Sequence, residues 1–452
     1  MNETRIERDA LGERTLPKNA LYGIHSLRAA ENFALDYKRS DKSLIYALAT
    51  VKKAAAICRL KAGAKAFSGR EGVFEAIIAA CDRVLSGQAD DAFIIDALQG
   101  GAGTSLNMNL NEAIANLALS ELGLQRGDYA AISPIDDVNR GQSTNDAYST
   151  ALRIAAIDLL RELSDRCAAL QEALQRKEIE FEEIAKLGRT ELMDAVPVTL
   201  GGEFGAYAQA IARDRWRLYK AEERLRQVNI GGVAVGAPDP SDRAYRHLII
   251  EELRELTGIG LAAAEYPMDV TQNNDVFVEV SGLLKALAVN LSKIAGDLRL
   301  MNSGPSGGFA EITLEPLQAG SSAMPRKINP VICEMTIQVS IKVMANDYAI
   351  SVAASRGEFE LNAFSPLIAD CLLESLSLLC KTCAIFRQKC VETIKANRDR
   401  CAELLENSLA FCASYVAALG YDRVRAVIEA NAADPAKVRR ALDRALSANL
   451  KN

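Results

Sequence analysis

A polar stretch interrupted by Gly and Pro lies between two long apolar-periodic runs, and its residue types could do chemistry. Residues 320–330 read Gly-Ser-Ser-Ala-Met-Pro-Arg-Lys-Ile-Asn-Pro. Adjacent hydroxyls beside a flexible Gly, followed by a cation and an amide, can grip a carboxylate and place an alkoxide-capable Ser next to it. The same residues also suit a Ser-rich turn before a helix, with Ser322 or Asn329 as a cap and Pro330 at the first helical position. Both interpretations remain open from this stretch alone.

Three upstream blocks carry further small and polar residues. They read Gly-Gly-Ala-Gly-Thr-Ser-Leu-Asn-Met-Asn at 100–109, Gln-Ser-Thr-Asn-Asp at 142–146, and Gly-Arg-Thr at 188–190 running on to Asp-Ala-Val-Pro-Val-Thr-Leu at 194–200. Together with residues 320–330, and in the same order, these blocks resemble the signature blocks of the aspartase/fumarase superfamily. The resemblance extends from about Arg5 to the region of Asn397.

Two segments favour the aspartases over the fumarases within this superfamily. Residues 22–33 resemble the aspartase N-terminal block, and Gln318 and Ala319 precede the signature where fumarases tend to have Pro. The resemblance therefore implies a carbon-nitrogen lyase that performs an anti-elimination on L-aspartate and gives fumarate and ammonia. A class II fumarase-type hydratase is an alternative, and a catalytically silent scaffold of the same fold is a third possibility.

The resemblance also implies roles for individual residues, with Ser321, Lys327 and Glu191 as the catalytic set. Ser321 would remove the proton beside one carboxylate. The aci-carboxylate that results would be held by hydroxyl groups: those of Thr104, Ser143, Thr144 and Ser322. The other carboxylate would be bound by Lys327, Asn329 and Thr190. The leaving nitrogen would face Thr104, Asn145 and Glu191. No cofactor is implied, because the carboxylate is the electron sink, and no metal-ligand cluster is visible in the sequence.

Glu191 is the sharpest departure from the family pattern, in which His or Gln usually follows the Thr. An ionised carboxylate near a bound dicarboxylate would cost on the order of a few kcal/mol unless a cation lies between them. Three interpretations follow. Glu191 could pair with the amine of aspartate, it could select a bulkier cationic leaving group such as that of an N-substituted aspartate, or it could turn away to meet a neighbouring Arg or Lys.

Other segments expected near the pocket also differ from the family pattern. Ser133 and Ile135 stand where relatives typically have His and Asn, and residues 231–240 lose the Gly-x-Asn that normally follows. Ser306 stands where Arg is frequent, and Arg326 replaces a small residue. The residues expected to grip carboxylates are retained. This pattern predicts that the part of the site that binds the two carboxylates is conventional, and it is compatible with an unusual leaving group.

Composition limits the class of protein and its partners. The 452 residues are 49% hydrophobic and 25% charged, which is typical of an ordered protein with large cores. A net charge of -6 without a Lys/Arg-rich block argues against nucleic acid or an anionic membrane as a partner. Neither a signal peptide nor a membrane span is visible. We therefore expect a cytoplasmic enzyme with a small dicarboxylate as its substrate.

The ten Cys are scattered, mostly within helical patterns, which predicts reduced, core-filling residues. Cys380 and Cys383 form a Cys-x-x-Cys, but they lie in an apolar helical run without a second pair. Packing explains this spacing better than a zinc or redox site does.

Apolar residues recur at helical spacing along most of the chain. They predict helices from Ser43 to about Lys65 and from Gly69 to Leu85. Five long amphipathic helices follow, the first from Thr150 onward and the others at 201–228, 270–302, 333–356 and 366–395. The predicted fold is all-α: a long-helix bundle at 143–396 between a mostly helical N-terminal domain at 1–142 and a small, shortened C-terminal helical domain at 397–452. The resemblance further implies a homotetramer in which several subunits contribute to each active site.

Overall fold

The structure is a computed structural model that describes residues 3–61, 70–237 and 243–449. In that part of the chain most residues are helical, and the strands form two-stranded sheets. The helices are α1 (Ile24–Asn32), α2 (Lys42–Lys61), α3 (Glu71–Leu85), α4 (Thr104–Glu121), α5 (Thr144–Glu180), α6 (Leu200–Leu225), α7 (Arg243–Thr257), α8 (Pro267–Gln272), α9 (Asp275–Met301), α10 (Val331–Ala354), α11 (Ser365–Lys389), α12 (Arg398–Glu406), α13 (Ala413–Leu419), α14 (Tyr421–Ala430) and α15 (Pro435–Asn449). The strands are β1 (Thr4–Asp9), β2 (Gly12–Pro17), β3 (Ala185–Thr190), β4 (Met193–Thr199), β5 (Gln227–Val228), β6 (Ala262–Ala263), β7 (Ile312–Thr313) and β8 (Lys395–Ala396).

The five long helices predicted from apolar periodicity are confirmed as α5, α6, α9, α10 and α11. α5 continues for 37 residues because neither Gly nor Pro interrupts its sequence. The helix expected at 270–302 is shorter than predicted. Its first residues belong to α8, which ends before Asn273, and α9 begins at Asp275. The Asn273 side chain donates to Asp269 inside α8 instead of continuing a helix.

The two earlier helices are also present. α2 begins at Lys42, one residue before the predicted start, and residues 62–65 of the prediction lie outside the described residues. α3 ends at Leu85, as predicted, and Gly69 likewise lies outside the described residues.

The chain divides into two compact units. The first contains Met1–Ser164, Trp216–Ala286 and Lys342–Cys380, and the second contains Asp165–Arg215, Leu287–Ile341 and Lys381–Asn452. The domain boundaries predicted from the sequence remain predictions.

The first unit has a core built around α4. This helix packs against α1, α2 and α3, and nearly all of its side chains are buried. Buried Asn residues recur along it at positions 107, 109, 111 and 116. Because a buried amide is costly without partners, each of them must enter a hydrogen-bond network. The core of this unit is therefore partly polar, because α4 contributes buried amide side chains to it.

The second unit contains the β3–β4 hairpin and the C-terminal helices. β3 and β4 pair antiparallel with an irregularity between Leu187 and Arg189. The C-terminal helices bury a separate cluster that includes Phe411, Val438 and Leu442.

All ten Cys are buried and none forms a disulfide, which confirms their core-filling role. Within the described ranges, no helix is both long and apolar enough to cross a membrane.

Candidate active site

In the loop at residues 320–330, called the signature loop below, the Ser321 hydroxyl accepts hydrogen bonds from two backbone N–H groups. The N–H groups of Ala323 and Met324 both donate to Ser321 Oγ, at 3.1 and 2.9 Å. Such donors stabilise an alkoxide more than a neutral hydroxyl, so they suit the role of base that the resemblance implies for Ser321. Ser321 is partly buried, whereas Ser322 is exposed.

The loop closes on itself at its base. Gly320 N–H donates to the Lys327 carbonyl at 2.9 Å, and Asn329 Nδ2 donates to the Gly320 carbonyl at 2.8 Å. A Cβ on Gly320 would lie 2.5 Å from that Lys327 oxygen, so the closure requires Gly. Pro330 precedes α10, which begins at Val331, and Asn329 bonds to the loop instead of capping the helix. Asn329 is therefore not recorded as a side-chain cap of α10, and Pro330 lies one residue before the helix rather than at its first position.

Lys327 and Asn329 line a cavity of about 810 Å³ in the second unit. Arg299 and Arg326 also line it, and Glu334 lies 3.8 Å from Arg299. Glu315 lines the cavity as well, so among the described residues its charged lining consists of three cations and two carboxylates. Such a wall suits the carboxylate recognition expected of Lys327 and Asn329.

Thr104 lies at the start of α4, behind a glycine that the packing requires. Gly103 has φ of 90°, and a Cβ there would lie 2.5 Å from the ring of Tyr148. This close approach explains Gly103. Thr104 is the first residue of α4, and the N–H groups at a helix start favour anions.

Ser143, Thr144 and Asn145 form the N-terminus of α5. Ser143 Oγ accepts the N–H of Asn145 at 3.2 Å, and the Asp146 carboxylate accepts the N–H of Ser143 at 2.9 Å. These reciprocal bonds make a capping box, which fixes the helix start. Thr144 Oγ1 accepts from Asn107 Nδ2 at 3.1 Å. Both hydroxyl oxygens therefore accept from the protein, and among the described residues no bond donated by either hydroxyl is recorded.

Asp146 ties this segment to a neighbouring loop. Its fully buried carboxylate also accepts the N–H groups of Gly231 and Val233, at 3.0 and 2.9 Å. Asn145 Nδ2 donates to the Ala234 carbonyl at 2.7 Å. The first part of the altered block at 231–240 thus supports the segment from Ser143 to Asn145, which is called the carboxylate clamp below. Residues 238–240 lie outside the described residues. Burial raises the pKa of Asp146 to about 7 despite these donors.

Thr190 and Glu191 lie at the turn between β3 and β4, where both are exposed. Glu191 and Leu192 have φ of 54° and 64°, as in a two-residue type I′ hairpin turn. Within the described ranges, the structure records no ion pair for Glu191, so the interpretation that it turns toward a neighbouring Arg or Lys finds no support in this chain. No hydrogen bond between described residues joins this turn to the signature loop.

The altered block at 133–135 is a capped turn. Ser133 Oγ accepts the N–H groups of Ile135 and Asp136, at 3.3 and 3.0 Å. Its replacement of His therefore has a local structural role.

Known proteins are similar to this chain over most of its length. A family profile described as Lyase matches residues 12–345. An aspartate ammonia-lyase from Bacillus sp is 43% identical over 420 residues, which cover 93% of this chain and 89% of that protein. The chain belongs to the aspartase/fumarase superfamily of lyases.

Solved structures of similar proteins have the same fold as this superfamily member. A fumarate lyase:delta crystallin from Brucella melitensis, bound to cobalt, matches with a TM-score of 0.92 at 42% identity, covering 99% of this chain and 98% of that one. A class II fumarase from Schistosoma mansoni matches with a TM-score of 0.91 at 28% identity, covering 98% and 96%. The all-α long-helix fold predicted from the sequence is confirmed.

The predicted residues occupy four segments, three of which lie at the start of a helix. Thr104 opens α4, Ser143 to Asn145 open α5, and Lys327 to Asn329 precede α10, while Thr190 and Glu191 lie on the hairpin. The sequence reasoning missed the buried polar residues behind the α5 segment: Lys52, Asn107, Asn139 and Asp146. The alternating Asn residues after residue 106 were a usable signal for part of this set, because polar residues in a buried helix must have partners.

Proposed function

We propose that this superfamily member is an aspartate ammonia-lyase that converts L-aspartate to fumarate and ammonia. The observation that carries the proposal is the Ser321 hydroxyl, which accepts two backbone N–H groups in a loop that presents Lys327 and Asn329 to a cavity. Relatives named aspartate ammonia-lyase are 41–43% identical over 90% or more of this chain, and they support the choice of substrate.

In the proposed reaction, Ser321 acts as an alkoxide and takes the proton from the carbon beside one carboxylate of aspartate. The electron pair of the broken C–H bond enters that carboxylate and gives an aci-carboxylate dianion. The stored electron pair then forms the C=C bond of fumarate while the C–N bond to the substrate ammonium breaks and its bonding pair leaves with the nitrogen as ammonia. The abstracted proton stays on Ser321 until it passes to solvent. The reaction balances without an added oxidant or reductant, because the carboxylate stores the electron pair.

The carboxylate clamp would stabilise the aci-carboxylate dianion. Ser143 and Thr144 can donate O–H hydrogens, since their oxygens already accept from Asn145 and Asn107. Thr104 and Ser322 add hydroxyls, and Lys327, Asn329 and Thr190 bind the other carboxylate. Donors fixed before the reaction contribute most where charge develops, so the clamp favours the intermediate over the substrate.

We further propose that the active enzyme is a cytoplasmic homotetramer in which each active site collects segments from three subunits. Large apolar side chains exposed on α9 and α10 support an assembly: Val289, Ile341 and Tyr348. Light scattering on the purified protein would give the subunit number directly. A monomer with full activity would contradict shared sites.

Glu191 favours a second candidate, a lyase for an N-substituted aspartate with a cationic leaving group. Its carboxylate lies on a fixed turn, is exposed, and is recorded without an ion pair in the part of the chain that the structure describes. A substrate ammonium or a larger cation on the leaving group could pair with this carboxylate.

The proposed function can be tested by following the ultraviolet absorbance of fumarate while the protein receives L-aspartate, L-malate or N-substituted aspartates. We expect fumarate from L-aspartate, loss of this activity in Ser321→Ala, and unchanged activity in the control Ser447→Ala, which alters an exposed hydroxyl on α15. Fumarate from an N-substituted aspartate but not from L-aspartate would favour the second candidate. Fumarate from L-malate alone would favour the hydratase, and no product from any substrate would favour the silent scaffold.

A further inference from the structure

Lys52 is a buried cation that the proposed reaction does not use. It lies on α2, and its side chain has no exposed surface. Its Nζ donates to Asn139 Oδ1 at 2.8 Å. An apolar side chain of similar length would fill this space without the cost of desolvating an amine. The presence of Lys here therefore suggests a role beyond packing.

A chain of hydrogen bonds runs from Lys52 to the carboxylate clamp. Asn139 Oδ1 also accepts from Asn107 Nδ2 at 3.1 Å and from Asn111 Nδ2 at 3.2 Å. Asn107 Nδ2 in turn donates to Thr144 Oγ1 at 3.1 Å. All three bonds lie within the first unit. Lys52 is thus linked to Thr144 through two amide side chains.

The donor character of Lys52 sets the direction of this chain. A protonated amine can only donate, so the amide oxygen of Asn139 faces Lys52, and its nitrogen donates to the Gln142 carbonyl at 3.1 Å. Because the oxygen of Asn139 can only accept, the side chain of Asn107 must present its amide nitrogen to it. The same nitrogen then donates to Thr144 Oγ1. With its oxygen occupied as an acceptor, the Thr144 hydroxyl can point its hydrogen at a ligand.

We propose that Lys52 is a positioning residue for the substrate-carboxylate clamp: through Asn139 and Asn107 it holds the Thr144 hydroxyl as a donor to the carboxylate that becomes the aci-carboxylate. The proposal rests on the proposed function, because it assigns the ligand of Thr144 from that reaction. Lys52 touches neither substrate nor reacting atoms. Its effect should be greatest where the negative charge on the clamped carboxylate is largest.

The charged and titratable groups facing Lys52 agree with this role. The Asp146 carboxylate on α5, when ionised, favours the protonated amine. The Cys81 thiol on α3 is neutral near pH 7, because burial raises its pKa to about 12. Burial nevertheless lowers the pKa of Lys52 to about 7, so nearby negative charge is needed to keep the amine fully protonated at neutral pH. A bound dicarboxylate would add negative charge nearby and favour the protonated, donating form.

The test compares Lys52→Met with Lys53→Met. Lys53 is the next residue on α2, is paired with Asp82 near the surface, and has no bond to the network, so it provides a matched control. With L-aspartate as substrate, we expect Lys52→Met to lower kcat by about tenfold to a hundredfold, with a change in KM of about threefold or less. This loss is smaller than the ~10²–10³-fold loss for a donor that touches an oxyanion directly. Lys53→Met should match the wild type.

A second variant covers the case in which Lys52→Met does not fold. Asn139→Ala breaks the link to Asn107 and leaves α2 unchanged, so it should show the same kcat-selective loss, with folding checked by circular dichroism. The proposal is overturned if either variant folds and its kcat is close to that of Lys53→Met. It is also overturned if only the KM of a folded variant changes. The wild type serves as the separate test of function: if it fails to release fumarate from L-aspartate, the proposed function fails, whereas a variant-specific result with an active wild type addresses Lys52 alone.

Discussion

Arg189 lies 2.8 Å from the fully buried carboxylate of Glu311, and this ion pair fixes the base of the hairpin that carries Thr190. The guanidinium also stacks on Phe309, 4.2 Å from the ring centre. The same carboxylate lies 2.9 Å from the buried amine of Lys186. Glu311 therefore compensates two cations, and the exposed turn of the hairpin is held by a buried charge network.

Glu311→Gln should destabilise the second unit. Removing this charge takes away the buried counter-ion of Arg189, whereas Lys186 keeps Glu203 at 2.9 Å. Breaking a buried pair in this way typically costs about 3–5 kcal/mol. We expect the free energy of unfolding in urea to fall by about this amount. The control Glu406→Gln alters an exposed carboxylate on α12 and should stay within about 0.5 kcal/mol of the wild type. Equal stability of Glu311→Gln and the wild type would contradict the network.

Gly320→Ala should impair turnover more than stability. The added Cβ would lie 2.5 Å from the Lys327 carbonyl oxygen and 2.8 Å from Asn329 N, so the loop must open and the donors to Ser321 must shift. We expect kcat with L-aspartate to fall by about tenfold or more, because a small displacement of a catalytic group can cost on the order of 10²-fold.

The matched control for this prediction is Gly307→Ala. Its added Cβ meets nothing within 4 Å, so activity should be retained. Equal activity in the two variants would show that closure of the loop base does not position Ser321.

Glu191→Gln distinguishes the interpretations of that residue. If the carboxylate pairs with the substrate amine, the loss of its charge should raise KM for L-aspartate by about tenfold, since a charge-assisted hydrogen bond contributes about 1.5–3 kcal/mol. The variant Glu183→Gln, an exposed carboxylate outside the hairpin, serves as its control. Unchanged or faster turnover of aspartate would remove the support for cation pairing.

Asp146 makes stability depend on pH in a defined window. Burial raises its pKa from 3.8 to about 7 in the folded protein, so the folded state binds more protons than the unfolded state between these values. The contribution of Asp146 to the free energy of unfolding is therefore highest at low pH, and it falls as pH rises from about 4 to about 7. The advantage of the wild type over Asp146→Asn should shrink across that window in urea titrations. An advantage that grows with pH would show that the carboxylate is stabilised in its charged form.

The sequence predicts the helices and the binding segments because both leave local signals. Periodic apolar residues mark α5 and α11, and the Ser143 to Asp146 block forms the capping box that its spacing allows. Lys52 leaves no such signal. It is followed by Lys53 in the same helix, and only packing of α2 against α3 and α4 buries the first and leaves the second near the surface.

The break between α8 and α9 was missed for a related reason. The periodic pattern continues from 270 to 302, and the side-chain bond from Asn273 to Asp269 that accompanies the end of α8 depends on local geometry. Competition of this kind between side chain and backbone is not visible in apolar periodicity.

The most direct test of the proposed function is proton NMR of L-aspartate incubated with the purified protein, with ammonia measured in the same sample. The account predicts that the aspartate signals decline while fumarate and ammonia appear in equal amounts, and that Ser321→Ala, shown by circular dichroism to be folded, produces neither. Unchanged aspartate with the wild-type protein, or equal fumarate release by Ser321→Ala, would contradict the assignment of this chain as an aspartate ammonia-lyase with a Ser321 base.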